Sequence, residues 1–162
     1  MPTIYNRMLA RLIIIIFVMI GVAYGQKGPY VDPLLRQPVR EWLADCEKYR
    51  PVGWETYYHF DSILVDDMMD YNMLGVCIPG RRAILINTQI TDSEFLLKLV
   101  VYHELGHCIL GRRHICGSIS LMNPNLQQYD LEEYRVLWNQ LLLEYMNGVG
   151  IPCPRLRCFP SF

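Results

Sequence analysis

The sequence has little charge and little histidine. Charged residues are 19% of its 162, the net charge is −1, and only four residues are histidines. Lysine and arginine nowhere gather into a basic stripe, which argues against nucleic acid as a partner. None of the six cysteines stands in a CxxC pair, so the zinc modules built on that spacing are excluded. No internal repeat or low-complexity tract interrupts the chain, which excludes solenoids and arrays. The longest apolar run, residues 12–23, is short of the roughly 20 residues that a membrane-spanning helix needs.

That run has another reading. Arg7 and Arg11 precede it, and Ala23-Tyr24-Gly25 follows it. A charged start, an apolar stretch of this length and a small-x-small site are the parts of a secretory signal. We expect residues 1–25 to be a signal peptide cut after Gly25, and residues 26–162 to be one domain, secreted or periplasmic. A membrane is then met only through the signal segment, if it stays uncleaved. No lipobox cysteine stands directly after the cut, which argues against a lipoprotein. Without Arg7 and Arg11 the balance is 13 basic against 16 acidic residues, or −3.

All six cysteines, Cys46, Cys77, Cys108, Cys116, Cys153 and Cys158, lie in the expected mature part. An even number in a small exported domain suggests disulfides, with 15 possible pairings. One pairing that suits the predicted elements joins Cys108 to Cys77. Another pins the tail through Cys153 and Cys158.

The elements follow from periodicity. Prolines make residues 26–37 a loose lead-in. Val39, Trp42, Leu43 and Cys46 recur at helical spacing from Pro38, and Pro51 stops that helix. Residues 62–65 read as a short strand. Residues 66–70 form an acidic connection without the spacing or glycine of an EF-hand. Residues 75–78 and 82–86 flank Pro79-Gly80 as a hairpin; the second arm is nearly all apolar, as in a central strand, and the first suits an edge. Thr91 and Glu94 are spaced as a capping box for a helix that Gly111 ends. Asp130 opens a last helix, with Leu131, Tyr134, Leu137, Trp138, Leu141, Leu142 and Tyr145 on its buried face, and Gly148 closes it.

Three of the four histidines fall within residues 103–114. His103-Glu104-x-x-His107 places two imidazoles one turn apart and about 40° apart around a helix. They can share one zinc ion, with Glu104 beside them as general base toward a water. A catalytic zinc needs a third protein ligand. His114 is the first candidate, because Gly111 turns the chain off the helix three residues earlier. Glu132 or Glu133, on the last helix, is the other. His59, among Tyr57, Tyr58 and Phe60, reads as a packed or surface histidine.

With Gly111-Arg112-Arg113-His114 and Ser120-Leu121-Met122-Asn123 added, the stretch resembles the metzincin clan of zinc peptidases. Their pattern is HExxHxxGxxH followed by a turn with a methionine beneath the metal. The resemblance covers about twenty residues. It departs in one place: three residues, Cys108, Ile109 and Leu110, separate His107 from Gly111, where the clan has two. A glutamate third ligand would instead follow the gluzincins.

The expectation is therefore an α+β, zincin-like single domain, with a small mixed or antiparallel sheet packed on the active-site helix plus flanking helices. Its expected activity is that of a zinc-dependent metallopeptidase, an endopeptidase acting on peptide or protein substrates. His103, His107 and His114 hold Zn2+, Glu104 is the base, and the edge strand over residues 74–78 takes an extended peptide by strand addition. Tyr129 and Tyr134 are candidates for stabilising the oxyanion. The alternative is an exported, disulfide-stabilised domain with a structural zinc, closed by a fourth ligand such as Cys116, and a non-catalytic binding role.

Overall fold

Glu94–Cys108 is the helix around which everything else is arranged, α2. It holds no proline, and Leu99 to Gly106 are buried without a break. A helix apolar on all sides has to lie inside the fold. The computed structural model describes residues 28–150, apart from residues 68, 69, 71 and 72. The expected signal segment, Cys153 and Cys158 lie outside the described residues. No described helix is long and apolar enough to cross a membrane.

Four strands form a mixed sheet in the order β1-β2-β4-β3. They are β1 (Tyr30–Val31), β2 (Ser62–Asp66), β3 (Gly75–Ile78) and β4 (Ala83–Asn87). β1, β2 and β4 run parallel, and β3 returns antiparallel to β4, with Cys77 opposite Ile84. The apolar second arm is thus central, as expected, and the first arm is an edge. The expected loose lead-in is corrected: Tyr30–Val31 adds a strand to β2, and the 3-10 turn Pro33–Leu35 delivers Leu35 into the core.

Helix α1 (Arg36–Tyr49) starts two residues before Pro38 and ends at Arg50, whose left-handed backbone closes on the Cys46 carbonyl. Helix α3 (Leu131–Asn147) has the expected ends. The Asp130 side chain and Glu133 form a reciprocal capping box, and Gly148 is left-handed at its C-terminus. The start of α2 differs from expectation. Ser93 is its cap, with Oγ accepting from the Leu96 amide. Thr91 belongs to the preceding 3-10 turn, where its hydroxyl donates to the Thr88 carbonyl at 2.7 Å.

The three helices share a buried polar chain. Trp42 Nε1 of α1 donates to the Tyr145 hydroxyl of α3 at 2.9 Å, and that hydroxyl donates to the Tyr102 carbonyl of α2 at 2.8 Å. Each buried polar atom is satisfied by another element, which fixes the angles between helices as well as their contact.

The Cys77–Cys108 disulfide is present, joining β3 to the end of α2. Cys116 is also in a disulfide. Cys46 departs from the expectation of full pairing: it is a free thiol, wholly buried on the inner face of α1. It serves there as a small apolar side chain, and burial pushes its pKa up.

Candidate metal centre

His103 and His107 lie one turn apart on α2, and the chain must come back to bring His114 to them. It does so through a wide turn. Ile109 still closes the ordinary helical bond to Leu105, at 2.8 Å. The Leu110 amide then reaches the same carbonyl at 3.4 Å, and the Arg112 amide reaches the Gly106 carbonyl at 2.8 Å. These loops are one and two residues wider than the α-helical bond. The surplus residue between His107 and Gly111 is taken up here, before Gly111 turns left-handed at φ 61°.

The result is a near-equilateral triangle of nitrogens. His103 Nε2 is 3.0 Å from His107 Nε2 and 3.1 Å from His114 Nε2, and the latter two are 2.9 Å apart. Among the described residues this is the single group of His, Cys, Asp or Glu side chains that converges closely enough for one metal ion.

Two of the rings are held by backbone. His103 Nδ1 donates to the Leu121 carbonyl at 2.8 Å, and His107 Nδ1 donates to the Arg112 carbonyl at 2.7 Å. A carbonyl can only accept, so Nδ1 carries the proton and Nε2 offers a bare lone pair. The His103 and His107 lone pairs, about 3 Å apart, repel unless a cation or the His114 Nε2 proton lies between them. Extra protonation does not relieve this. Burial and the neighbouring rings bring His103 down to about 3, and burial and His107 bring His114 down to about 4. Burial lowers His107 as well. The spacing is about 0.3 Å tighter than tetrahedral bonds of about 2.0–2.1 Å would set, close enough for one ion to be shared by all three. The donor set therefore fits a metal.

Met122 packs against α2 at Gly106, next to His107. Residues 120–123 form a tight turn: the Asn123 amide donates to the Ser120 carbonyl, and the Met122 amide donates to Ser120 Oγ. Met122 is buried, and a Cβ built on Gly106 would lie 2.6 Å from its sulfur and 2.8 Å from Tyr145 Cε2. The glycine inside the HExxH stretch is what admits the methionine turn and α3 so close to the helix.

Glu104 lines the same cleft, a cavity of about 420 Å³ walled by β3 on one side and residues 124–127 on the other. Burial pushes its carboxyl up to about 8, against the opposing effect of a hydrogen bond from the Cys77 amide.

The other candidates stand elsewhere. Glu133 accepts from the Asp130 amide in the capping box, and Glu132 is exposed beside Arg135. Both line a separate cavity with Tyr129. The Tyr134 hydroxyl is buried and donates to the Ser120 carbonyl at 3.4 Å. His59 is exposed. Asp66, Asp67 and Asp70 contribute to no metal-sized cluster among the described residues. What the spacing did not reveal is the backbone: the Leu121 and Arg112 carbonyls, the Cys77 amide, and the room left by Gly75 and Gly106. One clue was available, since Cys108 follows Glu104 by four residues and shares its helix face.

No protein-family model, no curated protein and no solved structure matches this chain.

Proposed function

We propose that the protein is a zinc-dependent metallopeptidase of zincin type, metzincin-like in its third ligand. One observation carries the reading: three Nε2 atoms converge to 2.9–3.1 Å, two of them with lone pairs bared by Nδ1–H bonds to backbone, with the Glu104 carboxylate in the same cleft. His103, His107 and His114 would hold the ion. Zinc, when bound, supplies a Lewis acid for the scissile carbonyl and a positive charge that keeps Glu104 ionised near neutrality. Glu104 then takes a proton from the attacking water on a carboxylate oxygen and gives it to the leaving amine nitrogen.

The substrate is an extended peptide laid along β3. The Asn87 amide donates to the Leu74 carbonyl, so by the antiparallel alternation Leu74, Val76 and Ile78 direct their backbone groups to β4. Gly75 and Cys77 direct theirs to the open edge. An added strand would bond to the outward groups of Gly75 and to the Cys77 carbonyl, the Cys77 amide being turned to Glu104. We place the protein outside the cytosol, in keeping with its oxidised Cys77–Cys108 pair.

The test is Glu104→Ala in the zinc-loaded chain, assayed on an unstructured protein substrate. Hydrolysis should fall by about 10²–10⁴ while zinc remains one per chain. The structural-zinc alternative requires an inactive wild type and four protein ligands by X-ray absorption. Cys116 does not suit that role, because its sulfur is in a disulfide, and no fourth ligand atom joins the three among the described residues.

A further inference from the structure

Val100, Glu104 and Cys108 stand at intervals of four along α2 and so form one ridge. β3 lies along that ridge and meets each member differently. At Gly75, a Cβ would come within 2.8 Å of Glu104 Cγ, 3.0 Å of Glu104 Oε1 and 2.9 Å of Val100 Cγ1. Two residues on, the Cys77 backbone amide stands near enough to the Glu104 carboxylate to hold its pKa down against burial. The Cys77 side chain is bonded to Cys108, one helical turn beyond Glu104. A missing side chain, an outward amide and a covalent bond thus converge on one carboxylate, from two residues of one strand.

The geometry assigns β3 a second duty besides walling the cleft: Gly75, the Cys77 amide and the Cys77–Cys108 disulfide are a positioning cradle for Glu104. An edge strand with an open side is free to lift from the helix beneath it. The disulfide prevents this at the point where lifting would break the amide bond to Glu104. Gly75 lets the carboxylate approach the strand closely enough for that bond to form. Without the cradle, a glutamate that shares its helix with two ligands still sits near them, but its carboxylate has other rotamers to occupy.

The catalytic consequence rests on the metallopeptidase reading, whereas the cradle itself does not, so two readouts are needed. The first is amide exchange by NMR on the zinc-loaded full chain. The residue-77 amide faces the open edge, and its protection should fall about tenfold or more in Glu104→Ala, as befits loss of a charge-assisted bond. The amides of Ile84 and Ile86 should be unchanged. The second is steady-state kinetics. Gly75→Ala and the double variant Cys77→Ser/Cys108→Ser should each lose about tenfold or more in kcat, with KM within about threefold and zinc still one per chain. If the double variant does not fold, Gly75→Ala gives the kinetic answer. Equal residue-77 exchange in wild type and Glu104→Ala overturns the cradle. So does a double variant that keeps both kcat and residue-77 protection and loses only thermal stability. A zinc-loaded wild type without hydrolytic activity overturns the metallopeptidase reading instead, and amide exchange still decides the cradle.

Discussion

At the scale of single residues, the centre is built by what fixes each ring. His103 and His107 each spend one nitrogen on a backbone carbonyl and leave the other bare toward the triad's centre. Such partners set the tautomer and the ring's direction. His114→Ala should therefore lower zinc affinity sharply without unfolding the chain, because His114 is only partly buried; competition with a chromogenic chelator measures this directly. Gly106→Ala should act differently. The added methyl meets Met122 and Tyr145, and overpacking of that kind costs about 1–3 kcal/mol. We expect a lower melting temperature and weaker zinc binding together, with retained zinc affinity counting against a role for the methionine turn.

At the scale of elements, the sequence disclosed most where local chemistry decides. Asp130 with Glu133 and the hairpin around Pro79-Gly80 are patterns of neighbouring residues, and both ends of α3 stand where those patterns place them. Thr91 shows the limit. Thr91 and Ser93 both offer a cap hydroxyl before the same apolar run, and packing of the preceding 3-10 turn gave the role to Ser93. Tyr30–Val31 could not be read at all, since a two-residue strand exists only because β2 offers it an edge. The site divides in the same way. Its three converging histidines were legible as side chains, whereas the wide turn that seats His114 is a backbone arrangement with no side-chain signature. Asp130→Ala offers a control at this scale. It removes one cap distant from the cleft, should cost about 1 kcal/mol, and should leave zinc content unchanged.

At the scale of the molecule, one buried and two half-buried histidines with lowered pKa values make the metal-free fold sensitive to acid. Their folded pKa values lie below the usual histidine value, at about 3 for His103 and about 4 for His114. Between those values and about 6.5 the unfolded chain binds protons that the folded chain does not, so stability falls as pH falls through that window. Each such group contributes a slope of up to about 1.4 kcal/mol per pH unit. Thermal melts of the metal-free protein should show a lower midpoint at pH 5 than at pH 7, and equal midpoints would contradict the burial described. Saturating zinc at pH 7 should raise the midpoint, since a ligand at about a hundred times its dissociation constant adds about 2.7 kcal/mol.

Arg112 joins these scales. Its carbonyl holds His107, and its guanidinium, through Nη2, donates to the Met146 carbonyl at 2.8 Å in the last turn of α3. One residue thus has its main chain on a histidine of the triad and its side chain on a helix remote in sequence. In the metallopeptidase reading, ion occupancy and the seating of α3 are then two ends of one lever. By reciprocity of binding free energies, whatever loosens the end of α3 loosens the grip on the ion, and withdrawing the ion frays the helix. Arg112→Ala leaves the three histidines in place, yet it should weaken zinc binding and increase amide exchange in residues 144–147; an effect on only one of the two would contradict the coupling.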